Sequence, residues 1–138
     1  MTRIALLPLA ISCGIAMLAT TRPAMAADAG KEIATAATHA GMAAGSVDIR
    51  MVKTHLQHTI NCLEGPGGAD FDAGPGNPCK DQGMGALADA TPDQRAALER
   101  ALDLAKAAAA EPDGAKARVG ASAAQAALEK LGWPPVTY

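Results

Sequence analysis

Aromatic residues are nearly missing from this 138-residue chain, which holds one phenylalanine, one tyrosine and one tryptophan. Its apolar content is mostly alanine, and alanine buries little area per residue. The core is therefore thin, and a cross-link or a bound ligand matters to its stability. Lysine and arginine (12) fall short of aspartate and glutamate (14), and no basic cluster stands out, which argues against a nucleic-acid partner. There is no Cys-x-x-Cys-His, so covalent haem attachment is excluded. No nucleophile elbow, Walker loop, Ser/His/Asp order or paired-carboxylate arrangement appears, so an enzyme is not expected.

The one sustained apolar run is at the N-terminus. Arg3 is followed by Ile4 to Leu18, apolar apart from Ser12, and then by the small-x-small triplet Ala24-Met25-Ala26. This is the pattern of a secretory signal over residues 1–26, with cleavage before Ala27 and a periplasmic destination. A retained membrane anchor is the alternative, but the run falls short of the ~18 to 20 residues that span a bilayer. Cys13 is a possible lipidation site, although Ala10, Ile11 and Ser12 fit a lipobox poorly and the cysteine comes early. Cleavage removes Arg3 and Arg22 and takes the formal charge from −2 to −4. Residues 27–138 are then one small domain.

Two cysteines remain after cleavage, Cys62 and Cys79. In an exported chain an even pair is expected to form a disulfide. Metal-binding thiolates are the alternative. The chain-entropy estimate for a loop of this length is roughly 3 kcal/mol of stabilisation.

Alanine-rich periodicity divides residues 27–138 into helices. Ile33, Ala37, Ala40 and Ala44 define the inner face of a helix over 31–44, ended by Gly45 in a left-handed conformation. Ser46 is the expected N-cap of a second helix over 47–63. Residues 65–90 read as a long irregular loop, stapled at its start by Cys62–Cys79, with Phe71 packing back on the bundle. Thr91-Pro92-Asp93-Gln94 is a capping box with proline at the first helical position, opening a third helix to Ala110. Its inner face is Leu98, Ala101, Leu102, Ala105, Ala108 and Ala109. A fourth helix over 112–131 is expected to bury Val119, Ala123, Ala126, Ala127 and Leu131. Gly132 and the Pro134-Pro135 pair then stop it, with Trp133 folding over the bundle end. The fold class is all-α: a small antiparallel four-helix bundle of two helical hairpins with a long disulfide-stapled central loop.

Residues 51–62 carry the chemistry. At about 100° per residue, with His55 at zero, Met51 lies near −40°, His58 near −60° and Cys62 near −20°. Four metal-ligand side chains share one stripe. Val52, Leu56, Ile60 and Leu63 adjoin it at roughly 60° to 140°, facing the core. Arg50, Lys53, Gln57, Asn61 and Glu64 fall opposite. His39 sits on the preceding helix, and the short turn brings it toward His55, with levels about 6 Å apart. Met42 and Met51 lie nearer the turn. The candidate metal ligands are His39, His55, His58 and Met51. Imidazole suits zinc and copper, and a thioether favours copper(I). Calcium is disfavoured, because Asp70, Asp72, Asn77 and Asp81 do not follow an EF-hand spacing.

The segment Ala36-Ala37-Thr38-His39-Ala40, a short turn, then His55-Leu56-Gln57-His58 resembles the small exported histidine-containing metal-binding four-helix bundles of bacteria. The resemblance covers residues 31–63 and implies low-selectivity divalent-metal binding. This chain has few histidines, so a single site is expected. Two other readings stand beside it. One is a metal-free envelope protein that meets a protein partner through its loop. The other is a bundle binding haem without covalent attachment, which the shortage of bulky apolar side chains disfavours. N-terminal sequencing of the exported protein should begin at Ala27; an uncut chain starting at Met1 would contradict the leader assignment.

Overall fold

The computed structural model describes residues 29–131. The leader with its Ala26 cleavage site, Cys13, and the Gly132, Trp133, Pro134 and Pro135 expectations lie outside the described residues. The described residues form five helices and no strands: α1 (Ala29–Gly45), α2 (Ile49–Glu64), α3 (Ala86–Asp89), α4 (Pro92–Ala110) and α5 (Gly114–Glu129). The four long helices pack in a ring, α1 on α2, α2 on α4, α4 on α5 and α5 on α1. The short α3 touches α1, α2 and α4. It arises inside the stretch expected to be wholly irregular. No helix of the described residues is long and apolar enough to cross a membrane.

Alanine spacing builds α1, where Ile33, Ala36, Ala37, Ala40 and Ala43 are buried on one stripe. Val52, Leu56, Ile60 and Leu63 form the core face of α2, as their spacing predicts. The cap between them is not Ser46. That hydroxyl donates back to the Met42 carbonyl at 2.7 Å, so it is spent on α1. Asp48 takes the cap instead, accepting from the Arg50 N–H at 2.9 Å. Gly45 is not the left-handed terminator either: it closes α1, and the glycines with positive φ among the described residues are Gly65, Gly76 and Gly85.

The start of α4 follows its sequence, with Gln94 Oε1 accepting from the Thr91 N–H at 3.2 Å. The inner face of α4 is also as expected, Leu98, Ala101, Leu102, Ala105 and Ala108. In α5 the expected face is wrong. Asp113 caps the helix through the Ala115 and Lys116 N–H groups, and the buried residues are Ala117, Ala121, Ala124 and Leu128. Val119 is 72% exposed, and Ala123 and Ala126 are exposed as well. Alanine occupies nearly every side of this helix, so its apolar periodicity is flat and packing chooses the face. Leu128 and the close approach of Gly120 to α4 make that choice.

Residues 65–85 cover one flank of α2. Cys62 and Cys79 are both buried and placed as a disulfide pair, with Cα atoms 5.2 Å apart. Glu32 on α1 reaches the segment just before α3, its Oε1 accepting from the Gly85 N–H at 2.9 Å. Phe71, expected as the plug, is only half-buried. The contacts that tie its neighbourhood down are polar: Gln57, Glu64 and Lys106 hold Asp70, and Asn61 holds Asp72. Asn61 was expected on the solvent face of α2, yet it is fully buried because the loop lies over it.

A Cβ at Gly120 would stand 2.7 Å from Ala108 Cβ and 3.3 Å from its Cα. Gly120→Ala should therefore lower stability by about 1–3 kcal/mol from overpacking, despite alanine's better helix propensity. Gly45→Ala is the control, since nothing lies within 4 Å of that position. Urea unfolding of both variants checks this, and a Gly120→Ala protein as stable as the parent would contradict the packing.

Candidate metal centre

The site is assembled where α1 meets α2. Ala36, Ala40 and Ala43 are fully buried on α1, and so small a surface lets α2 come close. Thr59 on α2 is also fully buried. Its hydroxyl lies 3.0 Å from the His55 carbonyl and 3.3 Å from the Ala36 carbonyl, so one side chain links the two helices beside the site.

His39 projects from α1, and His55 and His58 from α2. The expected offset between His39 and His55 is closed by their side chains, whose Nδ1 atoms are 3.3 Å apart. Ring centroids are separated by 5.5 Å for His39–His55, 4.8 Å for His39–His58 and 5.8 Å for His55–His58. One nitrogen from each of the three rings falls within 4.8 Å of the other two. All three rings are half-buried. These are all the histidines of the chain.

The nitrogens are distinguishable. His58 Nε2 lies 2.8 Å from the Pro75 carbonyl oxygen. A carbonyl only accepts, so Nε2 carries the proton, and in the neutral ring Nδ1 keeps its lone pair. That Nδ1 is buried and has no hydrogen-bond partner. A buried acceptor left without a donor is the position a metal ion would satisfy.

Electrostatics favour the metal-binding form. Burial holds the His39 imidazole down at about 4, and the neighbouring His58 and His55 push in the same direction. His55 is lowered too, first by burial and then by His58. Both rings therefore favour the neutral form at pH 7, in which each has one N–H and one lone pair to give a metal. The donor set fits a borderline divalent ion. With metal–nitrogen bonds of about 2.0–2.1 Å and a tetrahedral angle, adjacent ligand nitrogens sit about 3.3–3.4 Å apart. The His39–His55 pair already has that spacing, and His58 needs a small side-chain adjustment.

The other stripe residues divide. Cys62 is placed against Cys79 and is not part of the clustered group of His39, His55 and His58. Met42 and Met51 keep 47% and 46% of their surface exposed, so neither is core filler. What sequence reasoning missed is the outer layer: Asn61 and the Pro75 carbonyl. Asn61 was grouped with the solvent face, although it follows His58 by three residues on a helix and so borders the same strip. No protein-family model, curated protein or solved structure matches this chain.

Acid should weaken the metal-free protein in a defined window. His39 titrates about 4 in the folded chain against 6.5 when unperturbed. Between those values the unfolded chain binds more protons, so stability falls as pH drops through them. Denaturant unfolding at pH 7.5 and 4.5 should show this loss, and His39→Gln should reduce it. An identical loss in His39→Gln would mean that other groups cause it.

Proposed function

We propose that this is a small periplasmic metal-binding protein that holds one zinc or copper ion on His39, His55 and His58 and has no catalytic activity. One observation carries the reading. The chain's only histidines, drawn from two helices, bring one nitrogen each to within 4.8 Å of one another. Three imidazoles suit zinc, copper(II) or nickel, and they leave a fourth position for water or a further donor. Met51, one turn before His55 on α2, is the candidate for that position when the ion is copper(I).

On this reading α1–α2 and α4–α5 are two antiparallel hairpins, and a Cys62–Cys79 disulfide formed after export staples the connection between them. The N-terminal leader supports the periplasmic placement. A resident ion also suits the thin core, because ligand binding to the folded state alone adds stability. An envelope protein would deliver the ion or receive it.

The test is a titration of tag-free protein beginning at Ala27 with zinc, copper(II) and copper(I). Binding of one equivalent with sub-micromolar affinity is expected, with a rise in Tm. His39→Ala, His55→Ala and His58→Ala should each abolish binding at that affinity. Met51→Leu should weaken copper(I) and leave zinc unchanged. Stoichiometric binding that survives all three histidine changes would refute the site.

A further inference from the structure

We propose that Asn61 is the positioning residue of this centre: it clamps the backbone around Pro75 so that the Pro75 carbonyl holds His58 Nε2–H and presents His58 Nδ1 to the metal. The proposal rests on the metal reading of the three histidines and adds what orients one of them.

Asn61 is fully buried with every polar valence used. Its Nδ2 donates to the Asp72 carbonyl at 2.6 Å and to the Gly76 carbonyl at 2.8 Å. Its Oδ1 accepts from the Asp72 N–H at 3.0 Å and from Gln57 Nε2 at 3.0 Å. Three of these four bonds go to the loop, and they grip it on both sides of Pro75. Gln57 adds a bond of its own to the Asp70 carbonyl at 2.8 Å. Beside this grip, His58 Nε2–H donates to the Pro75 carbonyl at 2.8 Å, and the Asp70 N–H donates to Glu64 Oε2 at 2.7 Å.

Gly76 makes the Pro75 contact possible. Its φ of 111° is a conformation that side-chain-bearing residues rarely adopt, and it falls immediately after Pro75. The half-turn beyond it leads to Cys79, which is paired with Cys62 one residue past Asn61. A buried amide with all its bonds made is a rigid support. Metal-bound histidines characteristically pass their second N–H to a carbonyl or carboxylate in this way, and loss of such a partner weakens metal binding by roughly 10–100-fold. Here the partner is a main-chain carbonyl, which cannot be mutated away. Control of its position therefore falls to Asn61.

The test combines two readouts. Imidazole 15N NMR of the metal-free protein should show His58 as the single Nε2–H tautomer. Asn61→Ala should give a mixture of tautomers and a zinc Kd weakened roughly 10–100-fold. In a His58→Ala background the same change should bring no further loss, which a general structural defect would not reproduce. If Asn61→Ala does not fold, Gly76→Ala serves instead, since a side chain at φ 111° strains the backbone that carries the Pro75 carbonyl while Asn61 itself is kept. A folded variant that keeps the single tautomer and the parent's zinc affinity overturns the proposal. Parent protein that binds no zinc overturns the metal reading and the metal role of Asn61 with it. The tautomer readout then still shows whether the clamp orients His58, so the two failures are distinguishable.

Discussion

Close contact between α1 and α2 is the constraint on which the candidate centre depends. It is made by absence of bulk: Ala36, Ala40 and Ala43 present almost nothing to hold α2 away. Thr59 then links the helices through a hydrogen bond that few other side chains of its size could make. Imidazoles from both helices reach the same small volume, and Nδ1 of His39 comes to 3.3 Å from Nδ1 of His55. Leucines at those alanine positions would separate the helices and pull the rings apart. The feature that thins the core is thus the one that assembles the site.

The long loop serves the same helix from outside. Asn61, fully buried on α2, substitutes for the apolar plug that a loop of this length usually requires. Hydrogen bonds position more narrowly than apolar contact, because each has a direction as well as a distance. The loop therefore places a particular carbonyl, that of Pro75, on a particular nitrogen of His58. Cys62, next to Asn61 on α2, and Cys79, within the loop, are placed as a pair with Cα atoms 5.2 Å apart.

The electrostatics of the three rings belong together. Half-burial removes part of the water that would stabilise a charged imidazole, and each ring resists a second charge beside it. Both effects favour the neutral form of His39 and His55, which is the metal-binding form. A cluster of three rings, one with an unpartnered buried nitrogen, is poorly satisfied on its own. A cation is the species that would satisfy all three at once.

Much of this arrangement was legible in the residues themselves. The helical class, the core faces of α2 and α4, the Thr91–Gln94 cap and the shared stripe of His55 and His58 all follow from local spacing. Expectations failed where local signals were flat or competed. In α5 alanine on every side left the buried face undetermined, and Val119 turned outward. At the first turn Ser46 had two carbonyl and amide choices, and it bonded backward. The Asn61 contacts were hidden because a polar side chain on a helix predicts solvent until something long-range covers it. Sequence alone determined where the four long helices fall and which side chains can bind metal, since both depend on chemistry within a few residues. Only the tertiary structure decided that His39 meets His55 and His58, and which nitrogen of His58 is left open. Those depend on how closely two helices pack and where a distant carbonyl comes to rest.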